Sequence, residues 1–156
     1  MQAWRIAKHA YALDRQGTGA HLSGGRWNSP GVAAVYAGLT PEIAAMEKLV
    51  HTGDILPQDL VLAVIDLPDD HALYHALYQR YTVKDLPVGW DALPSSTAAI
   101  ALGDQFLLAA SHLGLIVPSA VMPEAFNIVL NPNHPAFSAV TINVVRPFEF
   151  DSRLLG

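Results

Sequence analysis

The chain has no cysteine, so no disulfide staples it and no thiolate is available as metal ligand or nucleophile. It is also poor in charge. Asp, Glu, Lys and Arg make up 15% of 156 residues against 51% hydrophobic, the reverse of a disordered composition. One domain, 1–156, with a well-filled core is expected. A basic excess is missing too: nine Lys and Arg face fourteen Asp and Glu, for a net charge of −5. Broad phosphate-driven contact with DNA or RNA needs a basic face, so no nucleic-acid partner is expected, although a local basic pocket stays open. Long apolar runs are absent. The richest, Ala98 to Ala110, is broken by Gly103-Asp104-Gln105 and falls short of the roughly 18 apolar residues a membrane span needs. The opening Met1-Gln2-Ala3-Trp4-Arg5-Ile6 lacks the basic stretch and apolar run of an export signal. The expectation is a cytoplasmic chain that stays off the membrane.

What is present reads as strands and helices interspersed. Trp4 to Ala7 suits a short first strand, and Asp14 to Asn28, with four glycines and few aliphatics, reads as a long loop. Val32 to Tyr36 suits a buried strand. Thr40-Pro41-Glu42 opens a helix: Thr40 caps, Pro41 needs no amide hydrogen there, and Glu42 favours the positive end of the dipole. Gly53 is the expected stop. Ile43, Met46, Leu49 and Val50 form its apolar face, and at about 100° per residue Glu47 falls on the edge of that face. Leu60 to Ile65 reads as a buried strand and Asp69 to Tyr81 as a short helix. A longer helix capped by Ser95 or Ser96 runs through His112 to a stop at Gly114. Leu115 to Val117, Phe126 to Leu130 and Val140 to Val145 are three more strands. The strand-rich end leaves no room for regular crossovers, so the fold class is α+β, with a mixed or antiparallel sheet and flanking helices.

Few residues announce chemistry alone. His71 and His75 are four apart, but no glutamate follows the first, as a zinc-helix motif requires; ordinary histidines are the better reading, and no metal is expected. Gly17-Thr18-Gly19 and Gly24-Gly25 lack dinucleotide-fingerprint or P-loop spacing. Arg26, next to the second pair, offers a planar fork suited to a pyrophosphate, or a surface salt bridge. Tyr36 is a core aromatic or a flat face for a heteroaromatic ring. Glu47 is either a carboxylate held toward the core for a purpose or one whose stem packs while its head reaches water. Ser119 lies between apolar stretches with no nucleophile elbow around it, which argues against a hydrolase serine.

Taken in order, Trp4-Arg5-Ile6, Gly24-Gly25-Arg26-Trp27-Asn28, Val35-Tyr36-Ala37, Ala45-Met46-Glu47, Gly103-Asp104-Gln105-Phe106-Leu107, Val117-Pro118-Ser119-Ala120-Val121, Asn127-Ile128-Val129-Leu130-Asn131-Pro132 and Phe150-Asp151-Ser152-Arg153-Leu154 resemble the RES domain. That family takes its name from an arginine, a glutamate and a serine, matched here by Arg26, Glu47 and Ser119. The resemblance implies an ADP-ribosyltransferase-like fold and a bacterial toxin that consumes NAD by hydrolysis or phosphorolysis, or transfers ADP-ribose to a protein. It implies an Xre-like antitoxin that blocks the active site, while homo-oligomeric state is not readable. Arg26, Glu47 and Ser119 would be catalytic, and Arg5, Trp27, Tyr36 and Asn127 would bind substrate. NAD would be the substrate and no cofactor would be required.

On that reading Arg26 holds the pyrophosphate, Glu47 stabilises an oxocarbenium-like ribose, Tyr36 flanks the nicotinamide, and Ser119 bonds the nicotinamide or its ribose. The alternative from another class is a catalytically silent module whose apolar surface docks a partner.

Overall fold

The structure, a computed structural model, describes residues 1–155. Its centre is a mixed sheet. The strands are β1 (Gln2–Lys8), β2 (Val35–Gly38), β3 (Leu60–Asp66), β4 (Tyr78–Arg80), β5 (Gly114–Pro118), β6 (Phe126–Leu130) and β7 (Thr141–Phe148). They lie in the order β4-β5-β6-β2-β1-β3-β7. β4 and β5 are parallel and the other neighbours antiparallel, which is the α+β arrangement expected.

The sheet falls into two parts. β1 pairs with β3 along its whole length, from Gln2 opposite Asp66 to Lys8 opposite Leu60. Across the other edge, β1 meets β2 only where Trp4 stands opposite Gly38. Helix α2 (Pro41–Val50) packs over this seam, touching β1, β2 and β6. Gly38 lets it settle there: a Cβ at this position would come 2.6 Å from Ile43 Cγ2 and 2.8 Å from the Ala44 nitrogen.

Both faces of the central strands are covered, which explains their unbroken apolar sequences. Alternate residues point to opposite sides. Ile116, Ile128 and Leu130 join Val35, Ile65 and Phe137 in one cluster. Leu115, Val117 and Val129 join Trp27, Trp90 and Phe106 in the other, beneath the long helix α4 (Thr97–Ala109). The Ser96 hydroxyl caps α4 by accepting from the Ala99 amide, as its position predicts. The helix ends at Ala110, in left-handed conformation, before the expected His112.

Four local expectations are corrected. The segment Asp14 to Asn28 is not all loop: it contains helix α1 (Thr18–Ser23). Asp14 builds its start by accepting from the amides of Gln16 and Thr18, and Gly17 takes the positive φ of 65° that turns the chain into it. The strand expected at Val32 to Tyr36 begins at Val35, because Asn28 Nδ2 binds the Val32 carbonyl and holds that residue in the preceding loop. Asp69 to Tyr81 is helical only at α3 (Tyr74–Leu77) and then becomes β4. Tyr78 is buried against the core and its hydroxyl donates to the Pro68 carbonyl, so packing overrides helical preference. Val50, expected on the apolar face of α2, is 57% exposed; the buried stripe consists of Ile43 and Ala44, and its cover ends before the final turn.

Candidate active site

A cleft of about 790 Å³ opens between α1, α2 and the seam of the sheet. That is the size range of small-molecule and cofactor sites. Trp4 and Arg5 of β1, Arg26, Tyr36 of β2, Glu47 of α2 and Asn127 of β6 all line it. Arg5, Arg26 and Lys48 bring three cationic side chains to one cleft of an acidic chain. This is the local basic pocket that net charge alone left open.

Glu47 reaches the cleft from the middle of α2, and two side chains grip one of its oxygens. Ser119 Oγ donates to Oε1 at 2.7 Å and Asn127 Nδ2 donates to the same atom at 2.6 Å. No described residue donates to Oε2. Short bonds from donors to a carboxylate are charge-assisted and about twice as strong as neutral ones. The carboxylate is therefore fixed at one oxygen and free at the other.

Ser119 itself is 0% exposed. Its oxygen accepts from the amides of Val121 at 3.0 Å and Met122 at 3.2 Å, so the hydroxyl proton is directed at Glu47. A hydroxyl has one proton to give. In this arrangement it is committed to the carboxylate, which differs from the expected contact between Ser119 and nicotinamide or ribose: Ser119 supports Glu47 from beneath.

Arg26 stands on a tight turn held from several sides. Gly25 and Asn28 form an isolated antiparallel bridge across it. The Tyr36 hydroxyl accepts from the Trp27 amide at 3.0 Å and donates to Asn28 Oδ1 at 2.7 Å. Asn28, 1% exposed, uses its Nδ2 on the carbonyls of Ala20, Ser29 and Val32. Burial pushes the Tyr36 hydroxyl well above the usual phenol range, with the Trp27 amide acting the other way. It remains a neutral hydrogen-bonding group. Tyr36 thus lines the cleft with its ring while its hydroxyl fixes the turn. The Arg26 guanidinium is anchored through Nη1 to the carbonyls of Trp90 and Ala92, each at 2.9 Å. No carboxylate pairs with it among the described residues, which sets aside the salt-bridge reading.

Two expected binding residues have other principal contacts. Trp27 lines the cleft as expected, but it is 3% exposed and its indole stacks on Trp90 in the core beneath the turn, with ring centroids 6.2 Å apart. Arg5 Nη1 donates to the carbonyls of Ala12 and Asp14 at 2.9 and 3.0 Å, tying the loop after β1 to the cleft wall. Burial pulls its pKa below the ordinary arginine value, while the nearby Asp14 carboxylate raises it.

The family model described as the RES domain matches residues 2–151. This chain belongs to the RES domain family. Among curated relatives, the Prs ADP-ribosylating toxin of Sphingobium is 38% identical over 97% of this chain and 95% of its own length. A Toxin Res of Pseudomonas putida is 39% identical, and one of Photorhabdus laumondii 35%, each over 99% of this chain and at least 97% of the relative. The solved M. tuberculosis MbcT–MbcA toxin–antitoxin complex superposes with a TM-score of 0.67 at 19% identity, covering 99% of this chain and 86% of that one. That likeness establishes a common fold.

Within this RES domain, the structure brings together Arg5, Arg26, Trp27, Tyr36, Glu47 and Asn127 around one cleft and sets Ser119 under the glutamate. Sequence reasoning missed Lys48 and His51, which line the cleft from the helix that carries Glu47. For His51 the signal was available, because a residue four beyond Glu47 lies on the same side of a helix, whereas Lys48, one beyond, is turned about 100° away. It also missed Asp104, which accepts from the amide and hydroxyl of Ser29 and ties the Arg26 turn to α4. The histidine pair His71 and His75 stays exposed, and no cluster of three metal-binding side chains occurs among the described residues.

Proposed function

We propose that this RES domain is an enzymatic toxin that binds NAD in the cleft and breaks the bond between nicotinamide and ribose. The observation that carries this reading is Glu47: a carboxylate on the wall of a dinucleotide-sized cleft, fixed at Oε1 by Ser119 and Asn127, with Oε2 uncommitted. In NAD the nicotinamide nitrogen already bears positive charge. When the bond breaks, its electron pair leaves with neutral nicotinamide and the charge passes to the ribose carbon, so no general acid is needed. A fixed carboxylate beside that carbon stabilises the developing cation more than the bound substrate. Arg26, with Nη1 bound to two carbonyls, presents the rest of its guanidinium to the pyrophosphate and fixes the dinucleotide. The Tyr36 ring flanks the nicotinamide. The acceptor, water or phosphate, bonds to the ribose carbon and releases a proton. NAD is the substrate and no cofactor is required.

A second reading has support of its own. The Sphingobium relative is named for ADP-ribosylating Prs, so a protein side chain as acceptor is the alternative. An antitoxin partner, of the Xre-like kind the family resemblance implies, is part of the proposal, supported by the toxin–antitoxin complex with the same fold. The deciding experiment incubates the purified chain with NAD and quantifies nicotinamide. Phosphate is present or omitted, and a parallel sample with radiolabelled NAD and cell extract reports transfer to protein. Absence of nicotinamide under all three conditions would leave only a binding role.

A further inference from the structure

We propose that Asn127 is a positioning residue for Glu47, and that it selects Oε2 as the oxygen that meets the ribose. The inference rests on the NAD-cleaving reading above and assigns Asn127 a role other than substrate binding.

Asn127 Nδ2 lies 2.6 Å from Glu47 Oε1. The opposite orientation would set Asn127 Oδ1 against a carboxylate oxygen, acceptor facing acceptor, so the carboxylate fixes which way the amide points. The consequence falls on Oδ1. It is buried and has no hydrogen-bond partner. Buried polar atoms in native proteins are almost always partnered, and an exception asks for a reason. Here that oxygen is sealed away, and one of the two Nδ2 hydrogens is given to Glu47 Oε1.

The backbone makes the placement firm. Asn127 sits in β6 between Val117 of β5 and Gly38 of β2, with strands on both sides. Glu47 comes from a helix, on a long side chain with three rotatable bonds. The rigid partner therefore positions the flexible one. Ser119, just beyond β5, delivers its proton to the same Oε1. Two donors on one oxygen leave a carboxylate that can neither rotate nor swap its oxygens without breaking both bonds.

Two variants and one spectrum test this. In Asn127→Ala the clamp is halved, and turnover in the nicotinamide-release assay is expected to fall about ten- to a hundredfold. KM for NAD should stay within about threefold, because the lost contact acts on the transition state. In Asn127→Asp the new carboxyl can donate to Oε1 only while it and Glu47 share a proton. Activity relative to wild type should therefore recover toward low pH and decline toward high pH. The other titratable or charged groups lining the site are Lys48 of α2, His51 just beyond it, Arg5 of β1, Tyr36 of β2 and Arg26. They are common to both proteins and cancel in that ratio. A ratio that does not vary with pH, or an Asn127→Ala variant with raised KM and unchanged turnover, would overturn the proposal. If Asn127→Ala does not fold, the Asn127→Asp ratio decides. The spectrum is independent of activity: the Asn127 side-chain amide should resonate downfield in the wild-type protein and return to the usual position in Glu47→Ala. An amide signal unmoved by Glu47→Ala also overturns the pairing. Should the wild-type chain release no nicotinamide, the cleavage reading fails while this signal still decides the pairing.

Discussion

Gly103 of α4 lies directly against the backbone of Trp27. A Cβ at Gly103 would stand 1.8 Å from the Trp27 carbonyl oxygen and 2.5 Å from its carbonyl carbon. The long helix and the Arg26 turn are therefore built to a separation that only glycine permits, and Asp104, next on the helix, closes the contact through Ser29.

Gly103→Ala is expected to destabilise the fold by about 3 kcal/mol, the upper end for overpacking, because a backbone carbonyl must move. Urea unfolding measures this. Gly19→Ala is the control: its Cβ meets nothing within 4 Å, and its unfolding midpoint should match or exceed that of wild type.

Glu47→Gln keeps the shape of the side chain and an oxygen for Ser119 and Asn127 to bind, so the helix and fold should persist. The negative charge is lost. Nicotinamide release should fall on the order of a hundredfold while NAD affinity changes little. A folded variant with near wild-type turnover would remove Glu47 from the mechanism.

Arg26→Lys preserves charge but not the fork. A single ammonium cannot hold the Trp90 and Ala92 carbonyls and face a pyrophosphate at once. KM for NAD should rise roughly tenfold or more, the loss of a hydrogen bond to a charged group. Equal KM values in the two proteins would show that Arg26 is not the anchor.

Tyr36→Phe removes the acceptor of the Trp27 amide and the donor to Asn28 Oδ1. Leaving buried polar groups unpaired costs about 1–3 kcal/mol each. A net loss of about 2 kcal/mol would lower the melting temperature by about 4–8 °C in a domain of this length. Calorimetry should find this loss together with weaker NAD binding, since the same turn carries Arg26.

Induced expression of the chain alone should arrest bacterial growth, and coexpression of a cognate antitoxin should restore growth. Glu47→Gln should be tolerated without the antitoxin. Normal growth at high levels of active wild-type chain would count against the toxin reading.

Much of the frame was legible because local chemistry and final structure agree. Thr40, Pro41 and Glu42 start α2 where caps belong, and the apolar runs from Leu115 and Phe126 become strands covered on both faces. Elements decided by distant partners were not legible. β4 exists because β5 lies beside it. α1 is hidden for a local reason: Asp14 and Gly17 turn the chain into a segment whose glycines suggest a loop. The site divides in the same way. Residue types at motif positions pointed to Arg26, Glu47 and Ser119. The contact joining Ser119 to Glu47 spans 72 positions, and the one joining Arg26 to Trp90 spans 64. No spacing rule reaches that far, so neither the seat of Ser119 beneath Glu47 nor the stacking of Trp27 on Trp90 is visible in the sequence.

The seam between β1 and β2 has a mechanical consequence. Where two half-sheets meet at a single pair, Trp4 and Gly38, mainchain bonding cannot by itself make them melt together. That task passes to α2, which rests on β1, β2 and β6. The helix that presents the carboxylate is thus also the fastener between the halves, and tolerance to change along it is limited twice over. A substitution there that spares the chemistry can still uncouple one half of the molecule from the other.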